Sequence, residues 1–118
     1  MNRILRALQH SWNGLIHAGT SETAFRQEVA VLVVALPVGY WLADSVLIYL
    51  LLVGSLILLL IVELLNTAIE AICDGLSQDY MDEIKIAKDC GSAAVTLTIF
   101  LAAAVWLVAL ALKAGLVA

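Results

Sequence analysis

Basic residues are scarce in this sequence: Lys and Arg total 6 against 10 Asp and Glu, for a net charge of −4. Binding a phosphate backbone needs a concentrated basic surface, so nucleic acid is excluded as an expected partner. Cysteine is limited to Cys73 and Cys90 and histidine to His10 and His17, too few at close spacing for a zinc site. Glycine-rich nucleotide loops are missing as well. Neither G-x-x-x-x-G-K-[ST] nor G-x-G-x-x-G occurs, and no protein-kinase signature is present. Internal repeats, low-complexity tracts and linkers are also absent, which leaves one domain over residues 1–118.

What the chain has in abundance is apolar surface, at 64% hydrophobic residues and a mean hydropathy of +1.04. One small water-soluble core could not hide that much. The apolar residues gather into blocks at about 29–43, 46–62 and 91–112, each long enough with its flanks to cross a hydrocarbon core of ~30 Å. The reading is an all-α integral membrane protein with helices at about 22–43, 45–76 and 87–113. The first block has the length of a signal-peptide core, but a long region of mixed charge precedes it and no small-residue cleavage site follows, which favours a retained span. Ahead of it, Ile4, Leu5, Leu8, Trp12, Leu15 and Ile16 fall within ~120° of a helical wheel. The sequence therefore predicts an amphipathic surface helix over 1–18, broken by Ala18, Gly19, Thr20 and Ser21, with Thr20 or Ser21 capping the next helix and Glu22 in its first turn. Pro37 is tolerable inside a membrane helix. Residues 77–86 read as a polar connection, and Trp41 and Trp106 as members of an aromatic belt.

Lys and Arg near span ends resist translocation. Arg3, Arg6 and Arg26 precede the first span and Lys85 and Lys88 lie between the second and third, so the N-terminus and the second loop are expected in the cytoplasm. Both cysteines then lie where thiols stay reduced. At ~1.5 Å per residue, Glu63 lies ~28 Å from Asp44, Glu22 ~33 Å from Asp44, and Lys88 with Asp89 ~37 Å from Lys113. These groups share one layer, the cytoplasmic boundary of the bilayer, where ionisable side chains point by default to a functional site. Glu63, Asn66 and Glu70, at i, i+3 and i+7, share one helix face. That face is either glue between helices or a site. Glu22 and Glu70 could hold Mg²⁺, which favours a few carboxylates plus water and phosphate oxygens. Lys88 could meet a phosphate, and a carboxylate at the hydrocarbon edge, Glu63, suits a general base. Phosphoryl transfer needs these parts. Blander readings stand beside them: Glu22 with Arg26 as a surface salt bridge, Glu28 in a polar cleft or paired with an arginine, and Asp74, Asp79, Asp82 and Glu83 as a solvated acidic surface.

Four segments carry a resemblance: Ser11-Trp12-x-Gly14-Leu15; Glu22-x-Ala24-Phe25-Arg26-Gln27-Glu28; Ile61-Val62-Glu63-x-Leu65-Asn66-x-Ala68-Ile69-Glu70-Ala71; and Ala87-Lys88-Asp89-x-Gly91-Ser92-Ala93-Ala94-Val95. In order and spacing the chain resembles the bacterial membrane-integral diacylglycerol kinases. The resemblance implies a homotrimer of three-span subunits with active sites shared between neighbours, in the bacterial inner membrane. It implies transfer of the γ-phosphate of ATP, as ATP·Mg²⁺, to diacylglycerol, giving phosphatidic acid. It puts the base at Glu63 with Asn66 orienting groups beside it, and the metal at Glu22 and Glu70. ATP contacts would fall at Arg3, His10, Glu22, Glu70, Asp79, Tyr80, Met81, Lys88 and Asp89. Lipid contacts would fall at Ala7, Leu8, Gln9, His10, Ser11 and Trp12, at Ala24, Phe25, Arg26, Gln27 and Glu28, and at Glu63 and Ser92. His10, Met81 and Gly75 stand where tyrosine, histidine and arginine are familiar in the family.

Two other functions compete. An undecaprenol kinase would share the Glu-x-x-Asn-x-Ala-Ile-Glu core, although the Ala-Phe-Arg-Gln-Glu and Gly-Ser-Ala-Ala-Val segments look closer to the diacylglycerol type. A non-enzymatic scaffold or a small transporter subunit would use the polar layer only to fix helix packing. A transporter, however, is expected to carry polar groups near the midplane rather than at one edge.

Overall fold

The computed structural model describes residues 2–76 and 79–118. Four helices follow in chain order: α1 (Asn2–Ser21), α2 (Thr23–Leu42), α3 (Val46–Leu76) and α4 (Asp82–Lys113). The last three are long and apolar enough to cross a membrane. Ser77 and Gln78, which open the expected 77–86 connection, lie outside the described residues.

Each boundary has a local cause. The break expected at residues 18–21 falls instead at Glu22, and α1 runs on to Ser21. The Thr20 hydroxyl donates to Ile16 O at 2.9 Å, while the Arg26 guanidinium reaches back to Gly19 O at 3.3 Å and Thr20 O at 3.0 Å. Those carbonyls would otherwise be orphans of the helix end. Neither Thr20 nor Ser21 caps α2. Glu22 is its cap residue, in extended backbone (φ −111°, ψ 109°), and its carboxylate makes no capping bond. At the next turn the Ser45 hydroxyl accepts the Ile48 N–H at 3.2 Å, which caps α3. The expected polar connection is shorter than read from sequence, because α4 starts at Asp82. Asp82 and Glu83 occupy its first turn, where carboxylates suit the positive end of the helix dipole. At the other end Gly115 has φ +75°, and Leu116 N–H donates to Ala111 O at 2.9 Å while Gly115 N–H donates to Leu112 O at 3.2 Å. That pair of bonds is a Schellman stop, for which glycine has the right backbone freedom.

α3 is the hub, packed along α4 and α2 and touched by α1, whereas α2 and α4 barely meet. The helices close on small residues: Ala35, Leu56 and Ala102 form one buried cluster, and Leu42, Leu52 and Ala109 another. In lipid, association relies on such close packing and on polar bonds between helices. Trp106 supplies one of these, its Nε1 donating to Leu52 O at 3.1 Å, so it pins α4 to α3 rather than standing free in an aromatic belt. Tyr49 supplies another, its hydroxyl donating to Leu36 O at 3.0 Å beside Pro37. Trp41 stays exposed, with the Lys113 ammonium 5.1 Å from its ring centroid. Large apolar side chains such as Val33, Leu50, Leu65 and Phe100 remain uncovered within one chain.

Candidate functional site

Glu63, Asn66 and Thr67 are buried on α3, at 6%, 9% and 9% exposure, although charged and amide side chains are rarely buried without a partner or a task. The i, i+3, i+7 spacing gathers Glu63, Asn66 and Glu70 as the sequence predicts. Asn66 Nδ2 donates to Glu70 Oε1 at 3.3 Å, which fixes the amide's orientation, since its oxygen would be repelled there. Asn66 Oδ1 is buried and has no hydrogen-bond partner among the described residues.

Glu28 of α2 closes the cluster from the side. It takes no arginine, for the Arg26 guanidinium is engaged by Gly19 O, Thr20 O and the Thr23 hydroxyl. Its carboxyl group instead meets that of Glu63 at hydrogen-bonding range. Two ionised carboxylates cannot donate to each other, and Glu28 Oε2 is buried without a donor among the described residues. Glu22 and Glu70 lie near enough to act on Glu63 electrostatically. The Glu22–Arg26 salt bridge weighed from sequence does not form: the ion pairs among the described residues are Lys85–Asp89 and Lys88–Asp74.

Among the described residues no three of His, Cys, Asp and Glu stand together as a metal cage. Mg²⁺ does not require one, since one or two carboxylates with water and phosphate oxygens suffice. Glu22, which spends no oxygen on capping, and Glu70, with one oxygen on Asn66, fit that smaller demand.

Lys88 of α4 pairs with Asp74 of α3 at 2.8 Å, and Asp89 with Lys85 at 2.5 Å. Asp74 is thus an ion-pair partner and not only part of a solvated acidic surface. Asp79, Tyr80 and Met81 are exposed just before α4, and the nearby Asp82 carboxylate raises the pKa of the Tyr80 phenol. Arg3, Ala7, Leu8, Gln9, His10, Ser11 and Trp12 are exposed along α1, and no hydrogen bond or ion pair among the described residues joins Arg3 or His10 to Glu63. Ser11 lines a cavity of about 470 Å³ between α1 and α3, bordered by Leu15, His17 and Thr67. Phe25 is buried, Ala24 and Gln27 are exposed, and Ser92 is exposed on α4.

The family model described as Prokaryotic diacylglycerol kinase matches residues 9–110. The chain belongs to the prokaryotic diacylglycerol kinase family. The match takes in every charged group of the α3 and α4 cluster and leaves out only the first turns of α1 and the end of α4. Among similar family members, the diacylglycerol kinase of Escherichia coli is 41% identical over 108 residues, covering 92% of this chain and 88% of that protein. That of Pseudomonas aeruginosa is 45% identical over 101 residues, covering 84% and 82%, and one from Helicobacter pylori is 34% identical over 114 residues, covering 94% and 89%.

Sequence reasoning missed three contacts of this family member. The Glu28–Glu63 approach joins two helices, so no spacing within one helix shows it. Asp74 and Lys88 face each other across the α3–α4 hairpin, a pairing that needed the true start of α4. The third is Gly91, whose Cα lies against the Asn66 amide. The run Gly91, Ser92, Ala93, Ala94 was a signal for such close approach.

Proposed function

We propose that this protein is a membrane lipid kinase that transfers the γ-phosphate of ATP to the hydroxyl of diacylglycerol, giving phosphatidic acid, at the cytoplasmic face of the bacterial inner membrane. The observation that carries the reading is the buried Glu63 and Asn66 beside Glu70 on one face of α3, in a chain whose relatives are diacylglycerol kinases. Glu63 accepts the proton of the lipid hydroxyl as that hydroxyl's oxygen attacks the γ-phosphorus and the bond from the γ-phosphorus to the bridging oxygen breaks, releasing ADP. Asn66 holds Glu70 and keeps the face in register. Glu22 and Glu70 hold Mg²⁺, which when bound neutralises charge on the phosphate oxygens. Lys88 leaves Asp74 to meet the nucleotide's phosphates, with Asp89 and residues 79–81 around it. The lipid approaches from the bilayer along Trp12 and the first turns of α2, where Phe25 and Glu28 lie, and past Ser92.

We place Arg3 and His10 at the nucleotide of a neighbouring subunit in a homotrimer. That neither bonds to Glu63 within one chain, together with the uncovered apolar faces of the spans, favours that assembly, with α1 lying on the membrane surface.

The test is phosphate transfer from ATP to diacylglycerol in detergent micelles with Mg²⁺, for native protein and for folded Glu63→Gln. Loss of a positioned general base costs roughly 10²- to 10⁴-fold, and full activity in the variant would remove Glu63 from that role. Undecaprenol offered in competition separates the two lipid substrates. If native protein phosphorylates neither lipid, the polar layer is packing alone.

A further inference from the structure

A glycine within a helix weakens it relative to alanine, so Gly91, in the interior of α4, calls for a reason. Of the seven glycines in the chain, it is the one where an added Cβ would collide, running into Asn66 Oδ1 and standing 3.4 Å from Asn66 Cγ. At Gly39 the nearest atoms are 3.5 Å away, and at the other five nothing lies within 4 Å. The colliding atom belongs to a side chain that cannot swing aside freely. Asn66 is 9% exposed, its Oδ1 is buried without a partner among the described residues, and its Nδ2 is committed to Glu70 Oε1 at 3.3 Å.

We infer that Gly91 is a positioning residue of the site: its missing side chain is the seat of the Asn66 amide, and the seated amide aims Glu70. A methyl group there must drive the amide away by roughly 1 Å to restore ordinary contact. The Asn66–Glu70 bond is already long at 3.3 Å and does not survive such a shift within hydrogen-bond geometry. Displacements of that size at a positioned group cost on the order of 10²-fold in rate. The unpartnered Oδ1 thereby has a structural origin, since the helix backbone that seats it carries no donor to offer. The effect on turnover rests on the kinase reading above, whereas the seat does not.

The experiment uses full-length protein in micelles with selective ¹⁵N-asparagine labelling. The chain has three asparagines, Asn2, Asn13 and Asn66, so Asn66→Ala assigns the buried side-chain amide at once. In Gly91→Ala the Asn66 amide resonance should shift toward its position in Glu70→Ala, which deletes the acceptor. Its kcat should fall by about 10- to 100-fold, and the Mg²⁺ concentration for half-maximal rate should rise, with the KM for lipid little changed. In an Asn66→Ala background the obstacle is gone, so Gly91→Ala should cost nothing further. An unmoved resonance in Gly91→Ala, an undiminished cost in the Asn66→Ala background, or an activity loss explained by a lower unfolding midpoint each overturns the inference. Should Gly91→Ala alone fail to fold, recovery by the double variant supports the collision with Asn66, and no recovery refutes it. Native protein that transfers phosphate to no lipid sinks the kinase reading, and the resonance then still decides the role of Gly91.

Discussion

Replacing Arg26 with alanine tests whether this side chain serves the lipid or the joint between α1 and α2. Its guanidinium makes three contacts, to Gly19 O at 3.3 Å, Thr20 O at 3.0 Å and the Thr23 hydroxyl at 3.2 Å. All three are solvent-exposed, so each is worth no more than ~0.5 kcal/mol and the set ~1 kcal/mol. A loss of ~1 kcal/mol is a factor of about five in a local opening equilibrium. Arg26→Ala should therefore speed amide hydrogen exchange at residues 19–22 by about fivefold and leave the middle of α3 unchanged. Glu22 sits at this joint, so the Mg²⁺ requirement for turnover should rise in parallel. Arg26→Lys should fall between, because a single ammonium lacks the fork that reaches two carbonyls and a hydroxyl. Unchanged exchange at residues 19–22 together with a raised KM for lipid would refute the reasoning and return Arg26 to the lipid.

Two further outcomes follow from the ion pair and the indole. Asp74→Asn frees Lys88, and because the pair is exposed the KM for ATP should drop by no more than about fivefold, less so in high salt; a raised KM would mean that Asp74 holds Lys88 in place. Trp106→Phe keeps the ring and deletes the bond to Leu52 O, so unfolding in micelles should become easier by ~0.6 kcal/mol and at most ~1.7 kcal/mol. A fall in kcat at unchanged stability would show that Trp106 does something other than pin helices.

The spans were legible because hydrophobic length is a property of the chain alone: the runs that follow Asp44 and Cys90 need no partner to declare themselves. The face of Glu63, Asn66 and Glu70 was legible for a related reason, since one helix carries all three and its period is fixed. What sequence could not show was settled between elements. Gly19, Thr20 and Ser21 read as a helix stop, and the guanidinium of Arg26, arriving from the next helix, satisfies the Gly19 and Thr20 carbonyls. Residues 82–86 read as a connection because of their charge, yet two of those charges favour a helix start. Trp106 looked like an interfacial residue until a carbonyl of α3 was found beneath its indole. Glu28 offered no signal at all for its neighbour, because the approach of α2 to α3 decides it.

The helices differ in length, α2 having 20 residues and α3 and α4 31 and 32. Hydrophobic mismatch therefore bears on this protein unevenly. The shortest span sets the bilayer thickness that fits without tilting, while α3 and α4, stiff rods about 17 Å longer, would emerge as a pair and carry Lys88, Asp89 and Asp74 clear of the acyl region. With Ser45 at one edge of a hydrocarbon core of ~30 Å, Glu63, ~27 Å along α3, would fall near the other edge. A thinner membrane uncovers that carboxylate to water and a thicker one draws it deeper among acyl chains, so lipid thickness acts on its environment with no change in the fold.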